Sequence, residues 1–224
     1  MYDIVFISYE EPNAEDNYSK LKERFPMAKR VHGVKGIHQA HIAAAKKCFT
    51  KMFWIVDGDA LILEDFMFDY EVPDHQLDHV HVWRAQNHIN DLVYGYGGVK
   101  LFPRTLTLNM DVTKPDMTTS ISKKFIAVQE VANITAFDTG EFEAWKGAFR
   151  ECAKLSSKTI TRQNNEETDD RLNTWCTKGS KERYGSYALN GANAGRKFGI
   201  SNRSNISLIN DFDWLKEQFN AASF

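Results

Sequence analysis

Residues 53–56, Phe-Trp-Ile-Val, run straight into Asp57-Gly58-Asp59, so a short apolar strand delivers two carboxylates, one residue apart, at its C-terminal end. Side chains alternate along a strand, so Asp57 and Asp59 can point the same way, and Gly58 lets the backbone turn close to a bound anion. Two carboxylates converging there suit a hard divalent cation, Mg2+ or Mn2+, whose other positions are filled by water and substrate phosphate. The pair points to a metal-held diphosphate. Asp-Gly-Asp is also ordinary turn chemistry. Its place at a strand end sets this copy apart, because ligands of open α/β sheets gather at the carboxyl ends of strands.

The segments before that tip predict a βαβαβ start: a strand over 3–9, an amphipathic helix over 14–24 that stops before Pro26, and a short strand over 28–32. Ile37, Ala40, Ala44 and Cys48 then fall on one helical face and lead into the strand at 52–56. No Gly-x-Gly-x-x-Gly and no Walker lysine loop follows the first strand, so a metal has to hold the phosphate. Further strands are expected at 80–82, over 93–102 with breaks at Gly95, Gly97 and Gly98, and over 128–137. Glycines inside a strand mark a bulge or a close ligand approach, which makes Gly97 and Gly98 donor-binding candidates beside Gly58. Helices are expected over 141–155, 168–176 and 211–219. There is no repeat, linker or composition break. One Rossmann-like α/β domain spanning 1–224 is expected, with a mixed, mostly parallel central sheet flanked by helices and a more variable, basic and glycine-rich portion at 156–224.

A chain of 224 residues with 42% hydrophobic content can bury one substantial core. Met1-Tyr2-Asp3 leads at once into Ile4-Val5-Phe6-Ile7, and no apolar run is long enough to span a bilayer, so neither secretion nor a membrane partner is expected. Cys48, Cys152 and Cys176 are odd in number and widely spaced, as in reduced cytoplasmic thiols. The net charge of −2 excludes a globally basic nucleic-acid binder but leaves room for a local basic face. Between 178 and 203 six basic residues, Lys178, Lys181, Arg183, Arg196, Lys197 and Arg203, stand against Glu182 alone, with Tyr184 and Tyr187 among them. This reads as a flexible cationic segment. Lys181, Arg183, Arg196 and Lys197 are its candidates for tracking a phosphate backbone; the alternative is a surface loop offsetting the acids at 166–170.

Lys35, His38 and His41 lie at or near the start of the second helix, where backbone amides and the helix dipole favour a donor phosphate. Ser8-Tyr9-Glu10, at the end of the first strand, would sit beside a nucleobase, with Tyr9 stacking and Ser8 hydrogen-bonding; the alternative is a plain strand-to-loop transition. His79 and His81 share a strand face, but without a third ligand they read as structural.

The starting strand at 4–9, the Asp57-Gly58-Asp59 end of the third strand, the Gly-Gly strand at 94–101 and the acid on a tryptophan-bearing helix at 145–151 resemble the nucleotide-sugar glycosyltransferases of the GT-A fold. More narrowly, His81-Val82-Trp83-Arg84, Asn87-His88-Ile89-Asn90-Asp91, 94–103 and 145–155 are similar to a phage-associated branch. That branch is similar to the base J glucosyltransferases and to phage enzymes that place sugars on hydroxymethylated pyrimidines in DNA. The resemblance covers residues 3–155. It implies a metal-dependent transferase using Mn2+ or Mg2+ and a nucleoside-diphosphate sugar, a UDP-sugar first, with DNA carrying a 5-hydroxymethylpyrimidine as partner; a phage-encoded copy would act in the host cytoplasm.

By the same resemblance Asp59 is a direct metal ligand, and Asp57 holds the ribose or a water-mediated metal contact. Glu151 is the first candidate for the base of an inverting reaction, followed by Asp138 and Asp91. Glu151 also reads as a solvated helix acid paired to Lys154 or Lys158. A retaining reaction would instead place Gln86, Asn87 or Asn90 near the anomeric carbon. All seven histidines fall between His32 and His88, so the family's C-terminal metal histidine has no counterpart; water, Asp211 or Asp213 would complete the shell. The alternatives are a transferase acting on a glycan or small molecule, and a metal-dependent nucleotidyltransferase or phosphohydrolase with a second acidic cluster. A nucleic-acid-binding domain without activity would leave the acidic pair unexplained.

Overall fold

The computed structural model describes residues 1–95, 97–114, 116–159 and 164–222. Tyr96, in the middle of the glycine strand expected over 93–102, lies outside them. The chain divides into two compact units, Met1–Asn87 with Val93–Ala136, and His88–Leu92 with Phe137–Phe224.

The first unit opens as the periodicity predicts, with β1 (Asp3–Ser8), α1 (Ala14–Arg24), β2 (Lys29–His32), α2 (Ile37–Lys46) and β3 (Met52–Asp57). It continues with β4 (Ala60–Ile62), β5 (Val80–Asn87), β6 (Val93–Tyr94), β7 (Val99–Pro103), two short helices, α3 (Arg104–Leu108) and α4 (Met117–Ile121), and β8 (Phe125–Thr135). The sheet order is β2-β1-β3-β7-β5-β8-β4, with β6 on β5. β1 pairs in parallel with β2 and β3, and β5 with β8, whereas β7 lies antiparallel to both β3 and β5, as β4 does to β8 and β6 to β5. Parallel pairing is therefore confined to the crossover-built start and the β5–β8 pair. Beyond β3 the antiparallel pairs join strands far apart in the chain, as β3 with β7 and β4 with β8, apart from the β5–β6 hairpin.

Alternation along the strands divides two cores between the faces of the sheet. Ile4, Phe6, Met52, Trp54, Val56, Val99 and Leu101 pack with Ala14 and Leu21 of α1. Val5, Phe53, Ile55 and Phe102 pack with Ala44 and Ala45 of α2. With α1 and α2 on opposite faces, β1 and β3 bracket the point where the winding reverses, and their carboxyl ends form the place where such sheets bind ligands. Trp54, fully buried, meets Trp83, Phe66 and Phe68 at ring distances of 4.5, 5.8 and 5.2 Å, so the strand carrying the acidic tip is anchored in an aromatic core.

The second unit holds α5 (Glu141–Ser157), α6 (Asn165–Thr177), α7 (Gly185–Ser201) and α8 (Phe212–Ala221). Here the sequence reading needs a correction, because the stretch expected to be a flexible, glycine-rich tail contains the 17-residue helix α7. Gly191, Gly195 and Gly199 recur every fourth residue and lie against the backbone of α5; a Cβ on them would come within 2.2, 2.2 and 2.3 Å of the carbonyl oxygens of Trp145, Phe149 and Ala153. The glycines are a packing stripe that brings two helix backbones together, and the tertiary contact outweighs their low helix propensity. The acids at 166–170 occupy the first turns of α6, where Asn164 caps the Glu166 and Glu167 amides and the helix dipole favours negative charge.

Candidate active site

The acidic tip is held by backbone bonds from three directions. Asp57 N–H donates to Gly98 O at 2.9 Å, Ala136 N–H donates to Asp59 O at 3.0 Å, and the Asn17 carboxamide of α1 donates to Gly58 O at 3.0 Å. Gly58 has a second use besides turning. A Cβ there would lie 2.6 Å from Glu11 Oε2, so glycine makes room for a third carboxylate, fixed by the Tyr9 N–H at 2.7 Å.

Asp57 is not left open to the tip. Lys100 Nζ reaches both of its oxygens at 2.7 Å, with the lysine side chain 8% and the aspartate 35% exposed. Gly97, at φ +98°, gives the lysine stem its passage, since a Cβ would lie 2.8 Å from Lys100 Cε. The space a Cβ would take at Gly98 holds the Asn133 carboxamide, which donates to Thr135 Oγ1 at 3.1 Å and whose buried Oδ1 has no partner.

Asp59 is half-buried and differs sharply in its titration. Burial, then the charges of Asp57 and Glu11, push its carboxyl up to about 7. Three carboxylates thus gather around one lysine. Among the described residues no group of three or more His, Cys, Asp or Glu side chains could hold a metal ion alone. The set still fits a hard divalent cation of the Mg2+ kind, which takes one or two protein carboxylates and draws its other ligands from phosphate and water. Asp59 would hold it, beside Asp57 or Glu11.

The other donor-side candidates divide. Ser8 is buried; its hydroxyl accepts from Arg30 Nε at 3.1 Å and lies 3.0 Å from His32 Nδ1, so it faces β2. Glu10 and Lys35 are exposed, and Tyr9, just after β1, is partly buried. His38 Nε2 lies 3.1 Å from Ser120 Oγ. His41 is buried, one turn into α2, and its Nδ1–H donates to Ile37 O at 2.7 Å. Burial first, then the positive charge of Lys100, lower its pKa to about 4, so at neutral pH it brings no positive charge to a phosphate. Its Nε2 lone pair is buried without a partner and is an acceptor for a hydroxyl or water.

In the second unit Asp138 Oδ2 lies 2.9 Å from His88 Nδ1, with the imidazole 54% exposed. Asp91 holds a left-handed conformation at φ +57°, one of the conformations found at functional sites. Glu151 lies on α5 with Lys154 Nζ 3.4 Å from its Oε2, the helix pairing open from its spacing. Asp211 caps α8, accepting from the Asp213 and Trp214 amides at 3.1 Å. Lys181, Arg183, Arg196 and Lys197 are all exposed, and Arg196 hydrogen-bonds the Cys176 thiol. His81 lies 3.3 Å from Gln76 Oε1 and is held neutral by burial, in keeping with a structural role.

Lys100 is the residue the sequence reading missed. A lone lysine in the buried strand Val99–Pro103 was its signal, because a buried ammonium requires an anionic partner. Lys100→Met is expected to lower stability by about 2 kcal/mol, below the 3–5 of a fully buried pair because Asp57 stays part-solvated. Urea unfolding should show Asp57→Asn in the same chain recovering part of that loss; a double variant no better than the single would assign the cost to lysine packing alone.

The sequence matches no protein-family model and no curated protein. Among solved structures it is similar to HddC from Yersinia pseudotuberculosis, at 13% identity and a TM-score of 0.34 over 61% of this chain and 92% of that one. It is also similar to the mannosyltransferase PcManGT from Pyrobaculum calidifontis, solved with GDP-Man and Mn2+, at 11% identity and a TM-score of 0.39 over 99% of this chain and 84% of that one. Scores of this size leave the reading to the chain's own residues. Among the described residues no helix is long and apolar enough to cross a membrane.

Proposed function

We propose that this chain is a metal-dependent glycosyltransferase that moves a sugar from a nucleoside-diphosphate sugar, a UDP-sugar by family resemblance, to a 5-hydroxymethylpyrimidine in DNA. The observation that carries the donor half is the crowding at the tip of β3, where Asp59 keeps its proton up to about pH 7 beside Asp57 and Glu11. A hard cation relieves that crowding, and when bound it supplies positive charge for a departing diphosphate. Lys100 holds Asp57 in one orientation by contacting both oxygens. Lys35 and the α2 N-terminus, capped only by Gly36, offer a cation and backbone amides to the phosphates.

For the acceptor hydroxyl, Glu151, Asp138 and Asp91 remain the proposed proton takers. The Asp138–His88 pair has the form of a carboxylate that orients an imidazole base, which favours it over Glu151 with its lysine. The acids at 166–170 lie exposed in the first turns of α6, which Asn164 caps, so a second metal site of the nucleotidyltransferase kind finds no support there.

The test is incubation with hydroxymethylated and unmodified DNA, pooled nucleotide sugars and Mn2+, read by nucleoside mass spectrometry. A hydroxymethyl nucleoside heavier by one sugar is expected. Donor hydrolysis without modified DNA would move the acceptor to a glycan or small molecule, and no turnover of any donor with Mn2+ or Mg2+ would overturn the transferase reading. With DNA as acceptor, reversing the charges of Lys181, Arg183 and Lys197 should weaken binding and flatten its salt slope by about 1 for each phosphate no longer neutralised. An unchanged slope would remove these residues from the interface.

A further inference from the structure

Three helices of the second unit converge on a pair of thiols far apart in sequence. Cys152 of α5 is fully buried and hydrogen-bonded to Cys176 of α6, which is half-buried. The Arg196 guanidinium of α7 also hydrogen-bonds Cys176. The helix core around them includes Leu155, Leu172, Trp175, Ala188 and Ala192. The ordinary fate of an intracellular cysteine is burial as a small apolar group, as for Cys48, whose thiol is pushed up to about 12 by burial and Asp3. The Cys152–Cys176 pair differs because one sulfur is reachable, a guanidinium touches it, and a second sulfur lies behind it.

We propose that Cys176 and Cys152 form a peroxide-responsive dithiol, with Cys176 as the attacking thiolate and Cys152 as the resolving thiol, closing reversibly to a disulfide that links α5 to α6. The charged and titratable groups acting on the pair are Arg196, which favours the Cys176 thiolate, and Glu151, which disfavours ionisation of Cys152. Cys152 lends its S–H to the Cys176 sulfur; together with Arg196 this draws the Cys176 pKa down to about 7, while burial keeps Cys152 protonated.

With hydrogen peroxide as oxidant the atoms balance. The Cys176 thiolate attacks one peroxide oxygen, the O–O bond breaks, and with one proton taken up water leaves and a sulfenic acid remains. Cys152 sulfur then attacks the Cys176 sulfur, the S–O bond breaks, and the Cys152 proton leaves with the hydroxide as a second water. Two thiols are oxidised by two electrons, and one peroxide is reduced to two waters. The inference rests on the helix pairings alone and stands apart from the glycosyltransferase reading.

The full chain, freed of reductant and treated with hydrogen peroxide, should lose two hydrogens by intact mass. Peptide mapping should join Cys152 to Cys176, with Cys48 still a thiol and the change reversed by a dithiol reductant. Cys152→Ser should stop at a sulfenic acid on Cys176, trapped by a cyclic dione, and Cys176→Ser should give neither product. Arg196→Gln should slow Cys176 alkylation at pH 7 about three- to fivefold, the gain in thiolate fraction being partly offset by lower nucleophilicity. A wild-type chain that keeps all three thiols, or a cross-link through Cys48, would overturn the proposal even where the serine variants fail to fold.

Discussion

Asp59→Asn is expected to abolish metal-dependent donor turnover while raising the melting temperature of the metal-free protein at pH 8. Folded Asp59 keeps its proton up to about pH 7, whereas an ordinary carboxyl releases it near 3.8. Between those values the folded chain binds more protons than the unfolded one. The stability this group contributes is therefore complete below about 3.8 and is lost as pH rises through 7. A shift of that size sets a ceiling of about 4 kcal/mol, and structural relaxation and water at a half-buried site reduce it to about 1–2. Asparagine carries no charge to desolvate or repel. Its melting temperature should exceed wild type by roughly 3–6 °C at pH 8, and the gain should vanish at pH 4.

Mn2+ should stabilise wild type more at pH 8 than at pH 6, because the cation replaces a proton that is already gone at the higher pH, and should leave the variant unmoved. Turnover, deprived of the charge that answers the leaving diphosphate, should fall on the order of a thousandfold. A variant that is less stable at pH 8, or that still responds to Mn2+, would remove Asp59 from the centre of the site.

What the sequence made legible was local. The alternation in 3–9 and 52–56 and the helical spacing of Ile37, Ala40 and Ala44 report which face each residue buries, and β1, α1, β2, α2 and β3 follow within two residues at each end. The Asp57–Lys100 pair was hidden because its partners are 43 residues apart and meet only through the antiparallel return of β7 onto β3. Glu11 was hidden differently. It approaches Asp59 through a gap that exists only because Gly58 has no side chain, and a glycine's empty space names no occupant. α7 was misread because glycine content was weighed as propensity, while the spacing of Gly191, Gly195 and Gly199, one helical turn apart, carried the real information about a facing helix.

That stripe carries a large stability effect of its own. At Gly195 a Cβ would lie 2.2 Å from Phe149 O and 2.8 Å from Phe149 C and Cα, and these are backbone atoms that no side-chain rotation can move aside. Gly195→Ala gains about 1 kcal/mol of helix propensity. It also forces α5 and α7 apart, which loosens Trp145, Phe149 and Ala153 in the core they share with Leu215 and Ile209. Overpacking of that kind costs about 1–3 kcal/mol, and separating two long helices belongs at its upper end. The net loss should be about 1–2 kcal/mol for alanine, seen as a lower urea midpoint, and Gly195→Leu should leave the second unit unfolded. Gly191→Ala has a cost of the same origin, with its Cβ 2.2 Å from Trp145 O. Because one displacement of the helix relieves both clashes, the double alanine variant should lose less than the sum of the singles. Strict additivity would mean that each glycine is accommodated locally and that α5 and α7 do not move as rigid bodies.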